Sequence, residues 1–244
     1  MRQNKKRRKG IWKQFKRGLK DYVNASSDFG FHRILRKELE SCDSVLDVGC
    51  GVSSPLSKIK KTFYLEGIDL VPVKSRKKIY DKRIRGNTLP MEEYSNGIHD
   101  KYTRGNVLQI EKYYKNKSFD AVVLLGLMEH LRRSEGKVFM EKLEKIAKRK
   151  IIICTPNGFI PQDPHHGNSY QEHIAGWYVN DFRIRGYKTY GIRGFKFIRG
   201  ELAAIKYKPW YVWLYLSYLS EFITIRIPWM GFELMAVKTL RSKK

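Results

Sequence analysis

Two carboxylates and two glycines stand in this chain at a spacing that suits a nucleotide-bearing ligand. The run Val45-Leu46-Asp47-Val48-Gly49-Cys50-Gly51 is followed by Gly67-Ile68-Asp69-Leu70. Val45 to Val48 has the apolar continuity of a short buried parallel strand, and glycines just past it permit a tight turn and close approach of the backbone to a ligand. Phe63 to Ile68 reads as the next strand. Asp69 then falls at its end, about twenty residues beyond the glycine loop, where an acidic side chain can accept from both hydroxyls of a ribose. A ribosyl cofactor outside the carboxyl ends of the strands is the first expectation.

The loop composition narrows the choice of cofactor. Dinucleotide loops of the G-x-G-x-x-G type use the third glycine for strand-helix packing and hold a pyrophosphate on a helix N-terminus. Ser54 occupies that position here, so the NAD pattern is broken. Asp47, just ahead of the first glycine, also suits a cationic group such as a methionine ammonium better than a pyrophosphate. At this point Leu46-Asp47-Val48-Gly49-Cys50-Gly51 resembles the first motif of the class I S-adenosylmethionine-dependent methyltransferases. Gly105-Asn106-Val107-Leu108 is similar to the adenine-recognition segment of that family, with Asn106 where Asp is usual. Ser118 to Leu131 resembles the fourth strand and the helix start beyond it, and Lys150 to Gly158 the fifth strand and its exit loop. From Thr155-Pro156-Asn157-Gly158 onward the chain is also similar to bacterial or archaeal methyltransferases whose acceptor is undefined.

The resemblance implies an α/β fold, a Rossmann-like seven-stranded, mostly parallel sheet with helices on both faces and the last strand antiparallel. It implies S-adenosyl-L-methionine as cofactor and methyl transfer as the activity. Asp47, Gly49, Cys50 and Gly51 would hold the methionine end, Asp69 and Leu70 the ribose, and Gly105, Asn106 and Val107 the adenine. Leu125 and Gly126 would line the same edge.

Open α/β sheets bind ligands beyond the carboxyl ends of their strands, so the acceptor is expected over the loop after the fifth strand. That loop, Pro161 to Gly176, is crowded with Gln162, Asp163, His165, His166, Asn168, Tyr170, Gln171, Glu172 and His173. His173, within Glu172-His173-Ile174-Ala175-Gly176-Trp177, resembles the His-x-x-x-aromatic element of many small-molecule methyltransferases. It is the first candidate for an active-site base, with His165 and His166 next; a neutral imidazole can take a hydroxyl proton as the oxygen attacks a sulfonium methyl. His130 reads as structural or near the cofactor, and His99 has no motif that supports a role. No metal site is expected. The Asn/Asp-Pro-Pro-Tyr loop used on nucleobase amines is absent after the fourth strand, where Gly126-Leu127-Met128-Glu129 stands. This favours an oxygen on a small molecule, glycan or lipid-linked acceptor.

Composition fits one enzyme-sized domain and pulls toward polyanions. The chain has 244 residues, with 49 Lys and Arg against 24 Asp and Glu and a net charge of +25, which favours RNA or an anionic membrane surface as partner. RNA methylation is therefore the alternative activity, and a non-catalytic membrane- or nucleic-acid-binding protein on the same fold is the second alternative. Residues 1–25 read as a basic amphipathic arm and 26–244 as the catalytic domain. In the arm, Lys5-Lys6-Arg7-Arg8-Lys9 precedes Ile11, Trp12, Phe15, Leu19, Tyr22 and Val23 at helical spacing. It lacks the apolar stretch of a signal peptide.

A second apolar stretch, from Pro209 through Ser220 to Ile227 and Trp229, is too short to span a bilayer and rich in Trp and Tyr. It suits an interfacial helix, a lid or a helix packed on the sheet. Peripheral contact with an anionic membrane through 1–23 and 209–230 is the corresponding expectation, in a cytoplasmic protein with membrane association left open. The three cysteines, Cys42, Cys50 and Cys154, form no metal or CxxC pattern and fit a reducing compartment. Helices are expected near Phe31 to Glu40, Ser134 to Lys148, with Val138, Leu143, Ile146 and Ala147 on its apolar face, and Val179 to Arg185.

Overall fold

Short apolar runs between polar loops become the strands of one sheet. A computed structural model describes residues 29–51, 54–59, 62–70, 98–163 and 169–240. The arm at 1–25 and the candidates His165 and His166 lie outside the described residues. The strands are β1 (Ser44–Val48), β2 (Tyr64–Asp69), β3 (Lys101–Arg104), β4 (Phe119–Leu125), β5 (Ala147–Pro156), β6 (Lys188–Phe195) and β7 (Gly231–Thr239). They lie in the order β3-β2-β1-β4-β5-β7-β6. The first five pair in parallel, and β7 runs antiparallel to both β5 and β6. This is the seven-stranded mixed sheet that the sequence leads one to expect.

Among the described residues the α-helices are α1 (Phe29–Leu39), α2 (Arg133–Ile146), α3 (Val179–Arg183) and α4 (Trp210–Thr224). Because alternate strand residues point to opposite faces, the sheet builds two cores. One holds Leu46, Val48, Ile68, Val122, Leu124, Phe139 and Leu143, with α2 and α3 on it. The other holds Val45, Leu65, Ala121, Val123 and Ile152, with Phe31 and Leu35 of α1. Central strands buried on both faces explain the unbroken apolar runs of β1, β4 and β5.

Two sequence expectations shift. Val138 is 53% exposed and does not belong to the inner face of α2, which buries Gly136, Phe139, Met140, Leu143 and Ile146. The helix also ends at Ile146, and Ala147 opens β5, a boundary set by pairing with Phe119 of β4. In α2 a glycine has a packing reason. A Cβ on Gly136 would lie 2.4 Å from the ring of Trp177, which is fully buried and donates its indole N–H to the Met128 carbonyl at 2.8 Å. Trp177 thereby pins the end of the long acceptor-side loop beneath the turn that follows β4.

Candidate active site

The parallel strands β1 to β5 all deliver their carboxyl ends to one edge of the sheet. At β1, the chain turns through Gly49, whose φ is +69° and whose added Cβ would stand 3.0 Å from the Leu127 side chain. Both the left-handed backbone and the close approach require glycine there. The turn is held by Gly49 N–H and Cys50 N–H donating to the Ile68 carbonyl at 2.8 and 3.4 Å. Gly51 N–H donates to Asp69 Oδ2 at 2.9 Å. Asp69 thus locks the loop as well as facing it. A carboxylate accepts up to about four hydrogen bonds, so this one does not exhaust its capacity for ribose hydroxyls. Leu70 follows it, 37% exposed.

Beyond β3, Gly105 N–H donates to the Asp69 carbonyl at 3.0 Å. The Tyr113 ring lies on Gly105, where an added Cβ would be 2.6 Å away. Asn106 Oδ1 caps the following helical turn by accepting from Leu108 N–H at 3.0 Å. Val107 is buried in the core, so it would offer a ligand its main chain. Leu125 is half-buried at the end of β4, and Gly126 turns out of that strand at φ +76°. These residues lie along the carboxyl-end rim of the parallel strands.

Asp47 differs from its expectation. It is 1% exposed, and its Oδ2 lies 3.0 Å from His99 Nε2. His99 rests over β2 at Gly67, where a Cβ would meet its ring at 2.9 Å. A ligand ammonium would therefore meet an Asp47–His99 pair rather than a bare carboxylate. The sequence assigned His99 nothing, because no local pattern links it to a residue half a hundred positions earlier.

On the acceptor side, His173 meets two residues that the sequence placed elsewhere in the argument. Glu129, His130 and His173 each bring one ligand atom to within 4.8 Å of the others. The two imidazole rings stand edge to face with centroids 5.0 Å apart. His130 Nδ1 lies 2.8 Å from the Glu172 carbonyl and His173 Nδ1 2.7 Å from the Ile160 carbonyl. A carbonyl only accepts, so each ring places a proton on Nδ1, and in the neutral imidazole Nε2 is then the acceptor. Burial lowers the His130 pKa below its ordinary value.

Glu129 is 6% exposed and accepts from the Thr155 hydroxyl at 3.0 Å. Burial pushes its carboxyl up to about 7. Its carbonyl accepts from Ile174 N–H and Ala175 N–H at 3.0 and 3.2 Å, which draws the His173 segment over it.

Such a set can take a proton from a hydroxyl. Two imidazole nitrogens and a carboxylate are also a donor set for a divalent transition metal, with each ring oriented by a carbonyl as metal-ligating histidines usually are. The signal that could have found it is the Glu129-His130 dipeptide in the turn that follows an apolar strand. Burial pushes the Cys154 thiol well above its ordinary value, against its acting as a thiolate.

Leu127 joins the two halves. It packs on Gly49 of the glycine loop and lies two residues before Glu129.

No protein-family model and no curated protein matches the chain. Among solved structures it is similar to a SAM dependent methyltransferase from Archaeoglobus fulgidus, 14% identical over 86% of this chain and 94% of that one, with a TM-score of 0.50. It is similar to the methyltransferase domain of a bacterial Hen1, CtHen1-C, 19% identical over 90% of this chain and 100% of that one, with a TM-score of 0.50. A third is the Burkholderia thailandensis 1,6-didemethyltoxoflavin-N1-methyltransferase, bound to 1,6-didemethyltoxoflavin and S-adenosylhomocysteine. It is 11% identical over 96% of this chain and 87% of that one, with a TM-score of 0.52. The chain has the fold of the class I S-adenosylmethionine-dependent methyltransferases.

Proposed function

We propose that this protein transfers the methyl group of S-adenosyl-L-methionine to an oxygen of a small molecule, glycan or lipid-linked acceptor. One observation carries the reading: the glycine loop locked by Asp69 and the Glu129–His130–His173 set share one rim, joined through Leu127 on Gly49. When bound, the cofactor supplies a methyl group activated by a positive sulfur. Gly49, Cys50 and Gly51 give it main-chain room, and Asp47 with His99 faces its amino-acid end. Asp69 and Leu70 hold the ribose, Gly105, Asn106 and Val107 the adenine, and Leu125 and Gly126 close the edge.

His173 Nε2 accepts the hydroxyl proton as the acceptor oxygen becomes nucleophilic, and Glu129 stabilises the imidazolium that results. His165 and His166, on the same loop, are the alternative proton acceptors. Positioning the acceptor in line and excluding water supplies much of the remaining rate. Calorimetric titration with S-adenosylmethionine, S-adenosylhomocysteine and NADH tests the cofactor assignment. Binding of the two sulfur ligands and not NADH supports it, and no binding by a folded sample overturns it.

Two observations favour companion readings. The anchored imidazoles and Glu129 suit a divalent cation that would orient the acceptor oxygen, a role tested by titration with Mn²⁺ and Zn²⁺ and by loss of turnover on chelation. The net charge of +25 favours RNA as acceptor, which predicts RNA-dependent turnover that falls steeply with salt.

A further inference from the structure

Helix α4 is built inside out. A helix on a water-soluble surface turns its apolar stripe inward and its polar residues outward. Here the inward residues are Leu214, Ser217, Ser220, Glu221 and Thr224. They bond to the neighbouring backbone. Ser217 Oγ donates to the Arg193 carbonyl at 2.9 Å, and Thr224 Oγ1 to the Gly191 carbonyl at 3.1 Å. Ser220 Oγ accepts from Phe195 N–H at 3.0 Å, and Glu221 accepts from Arg193 N–H at 2.9 Å and Gly30 N–H at 3.3 Å. The backbone of β6 comes so close that a Cβ on Gly194 would fall 2.0 Å from the Ser217 carbonyl oxygen.

The outward face is correspondingly apolar. Tyr211, Tyr215, Leu216, Leu219, Phe222 and Ile223 are each 41% to 57% exposed, and Trp229 beyond the helix is 56% exposed. Glu221 is the helix's single charged residue, and it is buried. A water-facing surface of this extent without a charge marks an interaction site. Lys206 and Lys208 precede the helix and Arg226 follows it, all three exposed. No helix among the described residues is long and apolar enough to cross a membrane.

We infer that α4 is an in-plane docking helix for an anionic lipid surface, an interaction separate from the methyl-transfer reading. Its 15 residues, roughly 22 Å, would lie with the aromatic and aliphatic face among the acyl chains. Tyr and Trp suit the headgroup boundary, and the bracketing cations meet lipid phosphates from both ends. A second copy of the chain fits less well, because it would bring another charge of +25 against the first. The chain preceding α1 strengthens the anionic choice. Its sequence holds the block Lys5-Lys6-Arg7-Arg8-Lys9.

Flotation of the full chain with phosphatidylcholine vesicles, with and without phosphatidylglycerol, tests this directly. The expected result is flotation with the anionic vesicles alone, accompanied by a blue shift of tryptophan emission. Tyr215→Ser/Phe222→Ser should weaken vesicle binding about tenfold or more, while thermal unfolding and S-adenosylhomocysteine binding stay unchanged. Lys206→Glu/Lys208→Glu should weaken it with the helix face intact. Absence of flotation would overturn the inference, as would unchanged flotation of the Tyr215/Phe222 variant, since the basic arm alone would then suffice. A dimer in solution that this variant dissolves would overturn it in favour of a second copy.

Discussion

The two halves of the candidate site are made of different material. The cofactor half is largely main chain: Gly49, Cys50 and Gly51 donate their N–H groups to the end of β2, and the Asp69 side chain locks the loop. The acceptor half is side chain. Glu129 and His130 follow β4, His173 comes from the loop after β5, and carbonyls at Glu172 and Ile160 aim the rings. A main-chain site fails as a unit when its backbone is disturbed, whereas a side-chain site can lose chemistry and keep its shape.

The sharpest way to separate the halves is Gly49→Ala. A residue with a Cβ pays about 1 to 2 kcal/mol in the left-handed region, and here it also presses on Leu127 at 3.0 Å. S-adenosylhomocysteine affinity should fall about a hundredfold or more by calorimetry. Glu129→Ala should do the reverse, lowering kcat about 10² to 10⁴-fold while leaving that affinity within about twofold. If Glu129→Ala weakened cofactor binding as much as turnover, the division into halves would be wrong.

Asp69→Ala probes the side chain that locks the loop of the main-chain half. Cofactor binding should weaken by about 1 to 3 kcal/mol, from lost hydrogen bonds to a charged acceptor. Unchanged affinity would leave Asp69 a structural role in the loop and none in cofactor binding.

The smallest expected effect is on stability, measured in chelator so that no cation contributes. Glu129 has its carboxyl raised from 4.5 to about 7 by burial, so the folded state keeps a proton that the unfolded state has released. Stability should fall as pH rises from about 4.5 to about 7 and flatten above it. Glu129→Gln, which has no proton to lose, should remove that slope in denaturant melts.

Legibility followed the range of the contacts. The glycine loop and Asp69 were readable because a strand, a tight turn and the next strand end are local requirements, written within about twenty residues. Val138 misled because a helical stripe fixes which residues share a face, not where the edge of the buried sector lies. His99 was silent because its partner, Asp47, lies 52 positions away, a distance that no periodicity spans. Glu129 and His130 were visible as residues, yet their meeting with His173 depends on Trp177 holding the loop under the turn after β4.

By itself the sequence determined which central segments are strands, the glycine turn and the acidic residue at the end of β2, since each follows from local geometry and from burial of short apolar runs. Only the tertiary structure decided which side chains form the acceptor half and which way α4 faces. In the run from Trp210 to Thr224 the polar residues Ser217, Ser220, Glu221 and Thr224 recur at helical spacing, so periodicity alone would have turned that side to water. The backbone of β6 drew it inward, because its carbonyls and N–H groups at Gly191, Arg193 and Phe195 needed polar partners, and Ser217, Ser220, Glu221 and Thr224 were the ones in reach.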